Sequence, residues 1–325
     1  MASFPVARMR RLRRTGALRR LVAETNVEPQ DLIAPLFVKE AIAEPVPIAS
    51  MPGHFQHTLD SLVKEVGELA GRGVSGVLLF GIPAAKDPTG SGAYDDRGIV
   101  QRALEAVKDE AGDDLVVMAD LCLCEYTDHG HCGVLAGGDV DNDATLDLYA
   151  RTAISQARAG AGVVAPSGMM DGQVAAIRRA LDSAGFPSTA ILAYAAKYAS
   201  ALYGPFREAA EGAPRFGDRR SYQQDPANAQ EAVREVALDI QEGADAVMVK
   251  PAIPYLDVVA EIKRRFGYPT LAYNVSGEFA MLAAAAERGW IDERAAALEL
   301  LTSIKRAGAD GIITYHAKKA AEWLG

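Results

Sequence analysis

The sequence predicts an α/β protein of the (β/α)8 (TIM) barrel class with an extended N-terminal arm, and three observations predict it. Eight short apolar runs recur at 32–38, 76–81, 115–122, 162–167, 190–197, 246–250, 270–276 and 311–315, with amphipathic stretches between them. A helix-ending glycine that feeds straight into a strand also recurs, as Gly73-Val-Ser-Gly-Val, Gly160-Ala-Gly-Val-Val, Gly243-Ala-Asp-Ala-Val and Gly308-Ala-Asp-Gly-Ile. The spacings are unequal, so this is repeated loop chemistry and not a fixed-period repeat. Finally, reactive polar residues end the runs: Asp120 and Cys122 the third, Ser167 the fourth, Lys197 the fifth, Lys250 the sixth, Ser276 the seventh and Tyr315 the eighth. A barrel would bring them all to the one rim where active sites of this fold sit. A doubly wound open sheet is the alternative. It would usually carry a glycine-rich dinucleotide loop after its first strand, and none is present.

The elements follow in chain order. Residues 8–20 hold Arg8, Arg10, Arg11, Arg13, Arg14, Arg19 and Arg20 with no acid among them. A transit peptide and a frayed, solvated tail are two readings of this stretch. It continues through Glu24 into the first apolar run without a break, which favours an arm that docks on an acidic neighbouring subunit. Residues 1–30 are therefore expected to be an oligomerisation arm and 31–325 the catalytic barrel. Leu59, Leu62, Val63, Val66 and Leu69 repeat at helical spacing after the first run. Asp225-Pro226 reads as the N-cap and first turn of a later helix that Gly243 closes. Residues 203–224 are irregular and rich in Gly, Pro and Arg, as suits a lid between the fifth and sixth strands.

The bulk properties narrow the function. With 49% hydrophobic and 24% charged residues the chain reads as an ordinary soluble protein. A net charge of −9 argues against a general nucleic-acid binder. No apolar run approaches the ~20 residues that span a bilayer. A reducing, cytoplasmic location is expected.

All three cysteines, Cys122, Cys124 and Cys132, lie in Asp120-Leu-Cys-Leu-Cys-Glu-Tyr-Thr-Asp-His-Gly-His-Cys-Gly. On an extended strand Cys122 and Cys124 would share a face, and the Gly- and His-containing turn would return Cys132 to them. Three thiolates with no fourth protein ligand describe a zinc site with an open, catalytic position. His129 or His131 could instead close the site, and three ordinary buried cysteines are the plainer alternative. A disulfide would leave one odd thiol and suits an oxidising compartment.

Lys250 ends the apolar run Ala246-Val-Met-Val-Lys250-Pro251. Poor solvation there favours its neutral form, and a neutral amine can attack a ketone to form a Schiff base. Lys197 repeats the arrangement one run earlier, and a cation beside Lys250 disfavours its protonation further. A lysine snorkelling to solvent from a strand end is the plainer reading of either one alone. The lid arginines could bind a carboxylate bidentately.

Taken together, these motifs resemble the 5-aminolevulinate dehydratase (porphobilinogen synthase) family, almost end to end. The likeness is carried by the Arg-rich arm, Asp31-Leu-Ile-Ala-Pro-Leu-Phe-Val, Ser50-Met-Pro-Gly, the cysteine segment and Ala165-Pro-Ser-Gly-Met-Met-Asp-Gly. Tyr194-Ala-Ala-Lys-Tyr-Ala-Ser-Ala-Leu-Tyr-Gly-Pro-Phe-Arg, Val247-Met-Val-Lys-Pro and Tyr273-Asn-Val-Ser-Gly-Glu complete it. The resemblance implies a lyase of heme biosynthesis that condenses two 5-aminolevulinate molecules to porphobilinogen with loss of two waters. It implies that Lys250 forms the Schiff base with the propionate-side substrate and Lys197 with the acetate-side substrate. Zinc on the three cysteines would polarise the second substrate, with Asp120 and Ser167 supporting proton transfer. Ser276 and Tyr315 would clamp one carboxylate, Arg207, Arg219 and Gln223 the other, and Tyr203 and Phe206 would wall the pocket.

The resemblance also implies a homo-octamer and a possible allosteric magnesium at Glu235, for which one carboxylate on an exposed helix is the plainer reading. Two positions depart from the family pattern: Gly168, where an acid is common, and Asp128, where a small hydroxyl residue is common. A class I aldolase and a zinc-stabilised scaffold are the rival functions. The first needs one lysine and no thiolate metal site. The second would unfold without zinc and tolerate loss of Lys250.

Overall fold

The computed structural model describes residues 3–112 and 114–325. Eight parallel strands form the barrel: β1 Leu32–Lys39, β2 Gly76–Ile82, β3 Val116–Leu121, β4 Val163–Pro166, β5 Ala190–Lys197, β6 Ala246–Lys250, β7 Thr270–Asn274 and β8 Gly311–Thr314. Each pairs with the next, and β8 returns to β1 with Leu32 opposite Ile312 and Ile33 opposite Ile313, closing the cylinder. The expected (β/α)8 class is the one observed. Short strands Val46–Pro47 and Phe55–His57 add a flap beside β1, and Leu135–Ala136 pairs with Asp139–Val140 in a small hairpin.

The strands are apolar throughout because both of their faces are covered. Ile33, Phe37, Leu78, Met248 and Ile313 fill the barrel interior. Their neighbours Leu32, Val38, Val77, Val247 and Ile312 point outward into the helical layer. The predicted helix runs Leu59–Ala70, with Leu62, Val66 and Leu69 buried and the Thr58 hydroxyl accepting from Ser61 N–H at 3.1 Å. Gly73, Gly160, Gly243 and Gly308 have φ of 75°, 106°, 104° and 116°, the left-handed turn their shared motif requires.

Several expected boundaries shift: the fourth and eighth strands end at Pro166 and Thr314, one residue before Ser167 and Tyr315, and three other shifts have a local cause. The third strand stops at Leu121, before Cys122, not at it. The ladder ends where Ser167 N–H donates to the Leu121 carbonyl at 3.0 Å. The chain then turns, with Tyr126 and Thr127 N–H groups both donating to Leu123 O. The seventh strand ends at Asn274, because the Glu278 carboxylate accepts from Val275 N–H at 2.7 Å and starts a helix at Ser276. The helix expected at Asp225-Pro226 begins only at Ala229. The Asp225 carboxylate accepts from Ala227 N–H at 2.8 Å, capping a turn instead, while Gly243 ends the helix as expected.

The N-terminal segment carries a 3-10 turn at Met9–Arg13 and a short helix at Gly16–Leu21 capped by Thr15, neither with a buried side chain. Phe4, Val6, Met9 and Leu21 are exposed on it. No helix among the described residues is long and apolar enough to cross a membrane.

Candidate active site

Parallel pairing of β5 with β6 sets Lys197 directly beside Lys250. The Lys250 Nζ lies 4.1 Å from the ring centre of Tyr273, 5.0 Å from Phe206, 5.1 Å from Tyr194 and 5.5 Å from Tyr203. It sits in an aromatic cage and is only 4% exposed. Burial, reinforced by the Lys197 amine, lowers its pKa to about 7. A large fraction is therefore the free, nucleophilic amine at neutral pH.

Lys197 is equally enclosed and donates to the Ser167 carbonyl. The Ser167 hydroxyl donates to Asp120 Oδ2 at 3.1 Å, and Gln156 Nε2 donates to the Asp120 carbonyl at 2.8 Å. Burial raises the Asp120 carboxyl to about 7, with Glu125 adding to the effect. Its Oδ1 has no partner among the described residues. A carboxyl poised near neutrality beside two amines can both give and accept a proton.

These titrations fix an expected pH dependence. A solvated lysine stays protonated to a pH of about 10. Here the amine is released through pH 7, so trapping of a ketone on Lys250 by borohydride should rise about tenfold per pH unit below 6 and level above about 8. Asp120 titrates in the same window, so the observed limb belongs to the pair. A limb near pH 10 in a trapping series would contradict this.

The three thiols converge although Cys122 and Cys124 lie past the strand. All three Sγ atoms are within 4.8 Å of one another, the only such ligating group among the described residues, and all are buried. Cys122 Sγ donates to Cys124 Sγ at 3.4 Å, and Cys124 Sγ to Glu125 Oε2 at 3.3 Å. Three soft donors in a closed pocket suit a thiophilic metal ion. Neither histidine is free to join them. His129 Nδ1 accepts from His131 N–H at 3.1 Å and its Nε2 meets the Pro88 carbonyl at 3.2 Å. Both His131 ring nitrogens bond elsewhere, to Tyr222 and Phe216.

The departure at Gly168 has a physical account. A Cβ there would overlap the Tyr149 hydroxyl, which donates to the Cys132 carbonyl at 2.7 Å. Gly168→Ala should therefore cost about 1–3 kcal/mol by displacing Tyr149, and should weaken metal binding by loosening the Cys132 turn. Thermal melts and metal titration check both effects. Asp128 carries no structural account beyond its backbone N–H donating to Asp87 O at 3.1 Å.

Over the rim, Arg207 Nε, Arg219 Nε and Gln223 Nε2 are buried donors with no partner among the described residues. They are the three residues expected to hold a carboxylate. Arg219 is fixed by bonds to the Gly130 carbonyl at 2.9 Å and the Gly212 carbonyl at 2.6 Å. The Tyr203 hydroxyl donates to Tyr198 O at 2.8 Å, and Phe206 packs on Phe80 at 5.0 Å. The Tyr315 hydroxyl lies 3.1 Å from that of Tyr273. Ser276 is placed differently from expectation. It opens a helix, and its hydroxyl accepts from Phe206 N–H at 2.9 Å. Glu235 lies outside this rim, on helix Ala229–Glu242, in a cavity of about 540 Å³ shared with Asp171 and Glu231. Burial raises its pKa, and Asp171 and Glu231 add to this.

Sequence reasoning missed the cage residues Tyr194 and Tyr273, and also Tyr149. Tyr194 sits three before Lys197 on one strand, so the odd spacing hid its inward direction; Tyr273 had only its place on an apolar run.

Fold and site together define a (β/α)8-barrel enzyme, with its reactive groups gathered on one rim. The sequence profile described as "Delta-aminolevulinic acid dehydratase" matches residues 6–323, and the chain belongs to that family. It is 59% identical to the Delta-aminolevulinic acid dehydratase of Streptomyces coelicolor, covering 99% of this chain and 98% of the relative. It is 55% identical to the Archaeoglobus fulgidus protein of the same name, over the whole of both. A crystal structure of the Toxoplasma gondii delta-aminolevulinic acid dehydratase (porphobilinogen synthase), in complex with the reaction product porphobilinogen, superposes with a TM-score of 0.95. That match is 47% identical and covers 98% of this chain and 91% of the other.

Proposed function

We propose that this chain is a porphobilinogen synthase, condensing two molecules of 5-aminolevulinate to porphobilinogen with release of two waters in heme biosynthesis. The observation that carries the reading is the in-register pair Lys197 and Lys250, enclosed beside three convergent thiols. Two ketone substrates call for two amines. Each amine adds to a ketone carbon, and the carbinolamine loses water to leave an imine.

In this reading Lys250 holds the propionate-side substrate and Lys197 the acetate-side one. Asp120 and Ser167 carry protons to and from the departing hydroxyl at Lys197. Tyr203 and Phe206 wall the pocket and, with the lid, exclude the water that would hydrolyse an imine. Arg207, Arg219 and Gln223 receive the acetate-side carboxylate, whose oxygens would satisfy their orphaned donors. Tyr315 holds the other carboxylate, and Ser276 joins it by donating its O–H while its oxygen accepts the Phe206 N–H.

Cys122, Cys124 and Cys132 would hold zinc, which supplies Lewis-acid polarisation when bound. Soft sulfur donors favour it over magnesium. Magnesium would instead suit the oxygen donors around Glu235, the allosteric position. Residues 1–30 would form the arm of a homo-octamer, burying their exposed apolar side chains, in a cytoplasmic enzyme whose substrate is neither nucleic acid nor membrane.

Porphobilinogen formation from 5-aminolevulinate, with and without a zinc chelator, tests the reading. Product that disappears on chelation and returns with zinc supports the enzyme and its metal together. Product indifferent to chelation keeps the activity and removes the metal role. No product from a folded, zinc-supplied sample overturns the reading.

A further inference from the structure

We infer that His131 is a positioning residue that latches the lid onto the cysteine turn, so that the carboxylate-binding donors are held by the same turn that presents Cys132. The inference rests on reading residues 203–224 as a substrate lid. His131 belongs to the cysteine turn, yet its ring serves the lid. Nε2 lies 3.1 Å from the Phe216 carbonyl and Nδ1 lies 3.1 Å from the Tyr222 hydroxyl. A carbonyl can only accept, so Nε2 carries the hydrogen. In the neutral ring Nδ1 is then bare and accepts the Tyr222 O–H. One imidazole thus ties two lid positions six residues apart, and its ring also packs on Phe216 with centres 4.7 Å apart.

Other contacts join the same two segments. Arg215 N–H donates to the His129 carbonyl at 3.0 Å, and Arg219 donates to the Gly130 carbonyl at 2.9 Å. The backbones touch as well. A Cβ on Gly130, whose φ is +73°, would strike the Ala213 carbonyl, and one on Gly212 would lie 3.2 Å from the Cys124 carbonyl. Most of these are backbone contacts that any sequence of similar shape can make. His131 differs in contributing two directed side-chain bonds at once from the turn. Of the three carboxylate-binding donors, Gln223 directly follows the latched Tyr222 and Arg219 lies between the two latch points, so the latch fixes where those two point. Arg207 lies before the latched stretch.

Hydrogen exchange over residues 210–224 of the zinc-loaded protein, read by mass spectrometry, tests this without needing turnover, so failure of the latch is distinguishable from failure of the assigned activity. His131→Phe keeps the ring packing and removes both bonds. It should speed lid exchange about tenfold, the scale of two lost hydrogen bonds, with zinc content unchanged. KM for 5-aminolevulinate should rise several-fold more than kcat falls. Tyr222→Phe should act in the same direction but less. The double variant should exchange no faster than His131→Phe alone, because both remove one shared bond.

Unchanged lid exchange in His131→Phe, or fully additive effects in the double variant, would overturn the latch. If His131→Phe loses zinc, Tyr222→Phe decides from the lid side. Faster lid exchange with zinc retained supports the latch, and unchanged exchange refutes it.

Discussion

Lys250→Met is expected to lower kcat by at least about 10⁴-fold, because it removes the proposed covalent catalyst and not a mere contact. Methionine is the informative replacement: it fills the cage formed by Tyr194, Tyr203, Phe206 and Tyr273 with a flexible, apolar side chain of similar reach. The Lys250 amine makes no hydrogen bond among the described residues, and the backbone carbonyl that accepts from Tyr198 N–H and the Tyr203 hydroxyl survives the substitution, so no partner is stranded. Burial already disfavours its charged form. The folded protein should be as stable as the parent or more so while being inactive. Circular dichroism melts and porphobilinogen assays on one preparation check both halves. An active Lys250→Met enzyme would remove the role assigned to this lysine.

Cys124→Ser should lower activity by at least about 10³-fold through loss of the metal's contribution, and chelation of the parent should do the same reversibly. The protein should nevertheless stay folded. The eight-stranded cylinder is closed by direct pairing of β1 with β8, and its interior apolar cluster contains none of the three cysteines, which form only a small part of the large outer one. This separates the enzyme from a zinc-stabilised scaffold, whose folding free energy would come from the metal itself. Metal analysis with a melting curve before and after chelation makes the distinction. An unfolded apoprotein would contradict the expectation.

How much of this was legible in the sequence depends on whether an element is set locally. The eight apolar runs gave the eight strands because a strand buried on both faces must be apolar along its length. The recurring glycine marked helix ends because only a left-handed turn joins helix to strand so tightly. The two lysines were legible as neighbours since each ends a run and consecutive parallel strands pair. Their residue-for-residue register needed the closed sheet. Strand ends were less legible: Cys122 and Ser276 each fall one or two residues beyond theirs, where a single hydrogen bond from Ser167 or to Glu278 decides the matter. Asp225 is a good capping residue that caps a turn instead, since propensity does not say which backbone N–H it will meet. The histidines of the cysteine turn were ambiguous for the same reason. Only the distant partners Pro88, Phe216 and Tyr222 show that their ring nitrogens are engaged elsewhere. Tyr203 and Phe206 were legible as pocket walls, but Tyr194 and Tyr273 were missed because the four rings of the cage come from three separate stretches of the chain.

In the proposed reaction two adjacent lysines each bind one substrate molecule as an imine. Borohydride trapping with 5-aminolevulinate, followed by peptide mapping, tests it most directly. Reduced adducts are expected on peptides containing Lys250 and Lys197 and on no other lysine. Lys250→Met should lose the first adduct. Adducts confined to lysines elsewhere, or none on the active protein, would contradict it.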